Sequence, residues 1–313
     1  MEGFVDRSGR YVIEPKFDYA GDFFEGLAWV CIDDQYGYID KIGRFVIPSR
    51  YDDALDFSEG LAAVEFDGKW GYINKEGQFV IPPKFDSARS FSGGRAAIKI
   101  NGKWGYIDKS GKTIVVPTYD EVLAFHEGMA CVACGRDLNK MCGYIGLDGH
   151  LLTPLIYKYT FFNANYSEGL ARVILGNTNK VGYIDKSGRV VLNTTFEKAG
   201  EFHEGLAWVS SKSEKGYIDK SGKFVFRIDT EWGVSSFSEG FAQIVVKGRY
   251  GFINKAGQVV IEPTFDYAGD FHEGLAPVRV DDKWGCIDRE GRVGAMFNAV
   301  SYFSEGLMRV SVD

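Results

Sequence analysis

The chain has 313 residues, with 43 acidic against 36 basic side chains and a net charge of −7 at neutral pH. A mildly acidic surface lacks the broad positive field that a phosphate backbone demands, so no nucleic-acid partner is expected. Hydrophobic residues make up 45% and charged residues 25%, a folded composition. No apolar run approaches the ~20 residues needed to cross a bilayer, so no membrane partner is expected either.

Aromatic side chains reach 15%, with 24 Phe and 17 Tyr, and 39 glycines punctuate them. Aromatic runs broken by glycine turns point to β structure. The N-terminus shows no charged-then-apolar leader, so the protein is expected in the cytoplasm unless the chain is a trimmed fragment. The five cysteines, Cys31, Cys131, Cys134, Cys142 and Cys286, are an odd and scattered set, which argues against a disulfide framework.

Gly3-Phe4-Val5-Asp6 opens a pattern of glycine, aromatic, aliphatic and Asp that returns as Gly37-Tyr38-Ile39-Asp40 and Gly71-Tyr72-Ile73-Asn74, and on to Gly285-Cys286-Ile287-Asp288. Six of the eight spacings are 34 or 35 residues; the other two, 38 and 39, flank the fifth copy. Glu-Gly-Leu-Ala, as in Glu59-Gly60-Leu61-Ala62, recurs with the same period, and two landmarks in phase make a strong repeat signal.

One copy reads as follows in chain order. Leu61 to Phe66 is a short apolar strand, and Asp67-Gly68 a hairpin turn. Trp70 to Ile73 is a second strand. Asn74-Lys75-Glu76-Gly77 turns the chain again into a third strand, Phe79 to Ile81, which Pro82-Pro83 closes. Phe85 to Phe91 is a short fourth strand or an irregular crossing. The second turn has glycine in all nine copies, at Gly9, Gly43, Gly77, Gly111, Gly149, Gly188, Gly222, Gly257 and Gly291. With Asp or Asn at its first position in eight copies, it predicts a three-residue hairpin loop whose glycine takes the left-handed bend. The copy is therefore an antiparallel β-meander.

Lys69-Trp70-Gly71-Tyr72-Ile73, Lys103-Trp104-Gly105-Tyr106-Ile107 and Lys283-Trp284-Gly285 resemble the WG (KWG) repeat family, across essentially the whole chain. In the other six copies the Trp position holds Glu2, Tyr36, Cys142, Val181, Lys215 and Tyr250, which suggests a partly exposed site. The resemblance implies a β-rich, mainly bacterial repeat module that mediates protein interactions, with no catalytic residue to carry over.

A repeat of ~34 residues cannot bury a core alone, so neighbours must share apolar faces. The fold class expected is all-β, a tandem array of nine antiparallel meanders forming one repeat domain over residues 1–313. From Gly306 through Asp313 and on to Gly3 is 10 positions, against 11 in six of the eight internal copies. The termini thus complete one another, residues 306–313 with residues 1–15, and a closed propeller-like ring is preferred over an open β-superhelix.

No catalytic, cofactor-binding or metal-binding residue is assigned, and the chain is not expected to be an enzyme. His126, His203 and His272 occupy a position held by serine or Phe24 elsewhere, which a ligand or a general base does not tolerate; His150 has no obvious partner. Cys131 and Cys134 lie on a predicted strand where i and i+3 face opposite ways, with Cys142 nearby, and structural cysteines are favoured over a metal or redox site. The glutamates before the Gly-Leu-Ala line up on one rim, as an acidic recognition strip or as turn residues loosely paired with lysines. Function is expected where copies deviate. The fifth and its neighbour carry the extra length, and the aromatic cluster Tyr157, Tyr159, Phe161, Phe162 and Tyr166 is the candidate contact for a protein or peptide partner. The alternative is a carbohydrate or cell-wall module.

Overall fold

The computed structural model describes every residue except 136–139, 159–164, 176–179, 194–195, 230 and 313. The described residues form β-strands and turns in nine small antiparallel sheets, arranged in a ring: the fold is a nine-bladed β-propeller. By internal packing the chain separates into two compact units, one of residues Met1–Ser90, Gln243–Asn254 and Val259–Asp313, the other of Phe91–Ala242 and Lys255–Gln258.

In the first unit a representative blade runs Asp53–Ala54, Ala62–Phe66, Lys69–Ile73 and Phe79–Phe85 in that spatial order. The blade of the ninth copy is assembled from both ends of the chain. Its order is Ala299–Ser304, Leu307–Ser311, Glu2–Val5 and Tyr11–Phe17, with Gly3 opposite Val310 and Phe4 opposite Arg309. The terminal backbones also pair directly, Met1 N donating to Val312 O at 3.0 Å and Val312 N to Met1 O at 3.1 Å. In the second unit the sheet of Leu170–Leu175, Lys180–Asp185 and Val190–Asn193 has three strands among the described residues.

The expected second turn forms as read. In its first copy Asp6 N donates to Arg10 O and Gly9 N to Asp6 O, both at 2.9 Å, while Asp6 Oδ1 accepts the Ser8 N–H at 2.8 Å. All nine turn glycines have φ between 76 and 82°, where a Cβ is penalised. The turn also carries tertiary load: the Gly43 backbone lies against Ile13 of the preceding blade, and Gly188 against Thr153 within the second unit.

The third strand differs from expectation. Pro82-Pro83 does not close it; the strand continues to Phe85. Its pairing jumps from Ile81 opposite Tyr72 to Phe85 opposite Trp70, so the prolines sit in a bulge on the blade's edge strand, where a missing N–H costs nothing. The bulge explains the glycine after Trp: a Cβ on Gly71 would stand 2.6 Å from Ile81 O and 2.7 Å from Pro83 N. The segment after Phe85 contributes a two-residue strand, Ser87–Ala88, that begins the next sheet.

Each core is shared between neighbours. Tyr38 packs edge-on against Phe57 of the next blade, with centroids 4.8 Å apart, and its hydroxyl donates to Leu55 O at 2.7 Å. Tyr106 with Phe125 and Leu123, and Tyr183 with Phe202 and Gly200, repeat the arrangement in the second unit.

Candidate functional site

The recurring glutamate sits in a two-residue hairpin: Phe24 N donates to Leu27 O and Leu27 N to Phe24 O. Both central residues are left-handed, Glu25 at φ 53° and Gly26 at 86°, and all eight such glutamates fall between 50 and 55°. A side chain in that region is disfavoured by roughly 1 kcal/mol, so each glutamate needs a compensating contact.

The contact is a clasp between blades. In the first unit Glu25 accepts Gly60 N at 3.0 Å from the next blade, and Lys75, from the second turn of that same next blade, binds the same carboxylate at 3.2 Å. Glu305 accepts Gly26 N at 3.0 Å and pairs with Lys41 at 3.0 Å; Glu273 accepts Gly306 N at 3.1 Å and pairs with Arg7 at 2.9 Å. In the second unit Glu127, Glu168 and Glu204 accept from Gly169, Gly205 and Gly240 and pair with Lys186, Lys220 and Lys255. Burial alone pushes Glu127, Glu168 and Glu305 up, but the lysine and glycine hydrogen bonds outweigh it and hold all three below the usual carboxylate range. Their share of stability is therefore present above the ordinary glutamate pKa and lost as the pH falls through the lowered one. These carboxylates tie the repeat together; they are not a free acidic strip.

One copy breaks the pattern at both ends. The third has Gly93 in place of glutamate, and Leu147 stands where the matching clasp cation is found in the other copies. A Cβ on Gly93 would lie 3.4 Å from Leu147 Cδ2, so the two positions do meet, and Arg95 Nε donates to Leu147 O at 2.9 Å. The double substitution Gly93→Glu with Leu147→Lys should build the missing clasp. A urea double-mutant cycle should show favourable coupling of about 0.5–1 kcal/mol; zero coupling would mean that the two positions do not form the pair.

Around Leu147 the fifth copy exposes aliphatic residues: Leu147 is 38% exposed, Leu151 50%, Leu152 44% and Ile156 53%. Of the predicted aromatic cluster, two members fall among the described residues. Tyr157 and Tyr166 are buried core residues, Tyr166 packing on Tyr144 and donating its hydroxyl to Asp185 O at 2.9 Å. Tyr159, Phe161 and Phe162 lie outside the described residues.

Cys131 and Cys142 are buried in one core cluster with Tyr144, while Cys134 is half-buried and pairs in register with Met141. The hydrogen bond between the Cys131 and Cys142 thiols, with burial, pushes the Cys131 thiol well up, which opposes thiolate chemistry. No group of three or more His, Cys, Asp or Glu side chains is placed to hold a metal ion among the described residues. His126 and His272 are exposed; His272 stacks edge-on with Tyr302 at 4.8 Å. The serines at this position act as a further tie: Ser167 Oγ donates to Phe202 O and Ser304 Oγ to Phe23 O, both at 2.5 Å.

In the first unit Asp56 is the carboxyl with the largest upward displacement. Burial first, then the charge of Asp22, push it to about 6, against a hydrogen bond from Trp29 and the charge of Arg309. A folded pKa above the unfolded value means that the contribution of Asp56 to stability is fully present below pH ~4 and is lost as the pH rises through ~6, by about 2–3 kcal/mol. Asp56→Asn should remove that slope. Urea midpoints measured from pH 4 to 7.5 should fall for wild type relative to the variant; parallel profiles would assign the carboxyl an ordinary pKa.

The comparisons agree with this geometry. The model of the WG containing repeat matches residues 3–36, 36–70, 70–104, 104–135, 143–178, 182–213, 216–250 and 250–284. Among solved structures the chain is similar to a crystal structure of the eukaryotic initiation factor, at 14% identity over 98% of both chains with a TM-score of 0.62. It is also similar to the dihydro-heme d1 dehydrogenase NirN in complex with DHE, at 13% identity over 94% of this chain and 77% of that one, TM-score 0.51. Likeness at such identity speaks for the fold alone. No curated protein matches the sequence. Eight matched copies spanning residues 3–284, nearly the whole chain, make it a member of the WG repeat family.

Proposed function

We propose that the chain is a non-catalytic scaffold that docks a protein partner on the Leu147–Ile156 stretch of the fifth copy. One observation carries the reading: where the charged clasp gives way to Gly93 and Leu147, four large aliphatic side chains stand exposed. Large aliphatic side chains exposed together in one short stretch suit an interaction site. The recurring charges elsewhere are engaged in holding blades together, which suits a rigid platform. All five cysteines are thiols rather than disulfide halves, which suits a reducing, cytoplasmic setting.

The test compares wild type with Leu147→Ser, Leu151→Ser, Leu152→Ser and Ile156→Ser combined. These exposed positions should leave the unfolding midpoint nearly unchanged, since surface substitutions usually shift stability by no more than about 0.5 kcal/mol. Quantitative affinity purification from the source cells should recover a defined partner with wild type and lose it with the variant. Equal recovery by both, or retention on a glycan array with no protein partner, would overturn the reading.

A further inference from the structure

Eight copies carry an aromatic ring after the conserved glycine, Phe4, Tyr38, Tyr72, Tyr106, Tyr144, Tyr183, Tyr217 and Phe252; the remaining copy carries Cys286. In the first unit that ring fills the space between blades, as Phe4 does against Phe23 at 4.8 Å and Phe252 against Phe271 at 5.0 Å. The same copy is depleted at its third strand. Gly294 and Ala295 stand where another copy has Val80 and Ile81, and Ala295 is exposed whereas Ile81 is buried. One change runs the other way: Met308 replaces the alanine of Glu-Gly-Leu-Ala, and its Sδ approaches Cys286 Sγ at 3.2 Å.

Met308 does not refill the space. A cleft of about 240 Å³ remains, with Cys286, Met308, Phe303, Phe297 and Leu275 among its lining and Arg7 and Arg292 at its edge. An apolar cavity of about 150 Å³ is large enough for benzene. Two sulfur atoms and two phenyl rings favour an aromatic occupant, through sulfur–ring and ring–ring contacts. Arg7 and Arg292 are paired with Glu273 and with Asp288 and Glu290, and Asp6 and Asp288 line the cleft beside them, so an uncharged occupant fits.

We infer that this cleft binds a small monocyclic aromatic molecule, whose ring takes the place of the side-chain ring that the other eight copies provide for themselves. The inference does not depend on the docking face of the fifth copy. Burial drives the Cys286 thiol up to about 12, so the sulfur acts as a neutral contact.

The experiment uses the full chain and p-cresol, a methylated phenol, followed by calorimetry and by NMR of the Met308 methyl group. Wild type should bind with 1:1 stoichiometry and shift the Met308 signal. The double variant Cys286→Tyr with Met308→Ala restores the pattern of the other copies and should weaken binding at least tenfold while keeping or raising the unfolding midpoint. Ala295→Ile, which fills the cleft from the other side, should weaken it as well and covers the case in which the double variant fails to fold. No binding by wild type, undiminished binding by the filled variants, or binding of N-acetyl-Gly-Tyr-Gly-amide without p-cresol would each overturn the inference.

Discussion

Deleting Leu307–Asp313 should abolish cooperative folding. The strand Leu307–Ser311 pairs on one side with Ala299–Ser304 and on the other with Glu2–Val5, so its loss splits the sheet that joins the two ends of the chain. Leu307, Met308 and Val310 are buried, and their removal uncovers Phe4 and Val5, both 0% exposed. At about 1.5–3 kcal/mol for each buried aliphatic side chain, the loss rivals the 5–15 kcal/mol by which whole domains are typically stable. Urea titration by circular dichroism should show a broad, early transition. A circular permutant that joins Asp313 to Met1 and opens the chain at the exposed turn Asp67–Gly68 should keep a sharp transition, because the termini are already hydrogen-bonded neighbours. A deletion variant with the wild-type midpoint would show that the shared sheet is not what holds the ends.

Gly37→Ala should destabilise by about 3 kcal/mol, in the range of severe overpacking. The added methyl would stand 2.6 Å from both Ile47 O and Ser49 N. Those are backbone atoms of the bulged edge strand, which cannot rotate away as a side chain can. Gly60→Ala is the informative contrast. Gly60 has φ 86° and nothing within 4 Å of a built Cβ, so its cost is conformational alone, about 1 kcal/mol. Chemical denaturation of both variants should separate the two by a clear margin. Equal losses would mean that steric contact with the bulge does not set the requirement for glycine at this position of the repeat.

Much was legible in the chain because small repeats constrain local chemistry strongly. The nine turn glycines had to be left-handed, since Asp-x-x-Gly between two apolar strands leaves few other bends, and all nine are. Closure was readable from Gly306 to Gly3 because the two chain ends carry complementary parts of one copy. Pro82-Pro83 misled because proline ends a strand only where its N–H is needed; an edge strand with a bulge does not need it. In the fifth copy composition could not distinguish a ring that fills a core from one that faces outward: Tyr157 and Tyr166 went inward, and Leu147, Leu151, Leu152 and Ile156 remained exposed.

The sequence by itself determined the repeat, the turns and the pairing of the two ends, all of which follow from contacts within one copy or between adjoining copies. Only the tertiary structure decided which distant positions share a site. Glu25 meets Lys75, 50 residues on in the next blade, Gly93 meets Leu147, and Cys286 meets Met308. Such pairs are set by how successive twisted sheets stack, a geometry that no local spacing in the chain encodes.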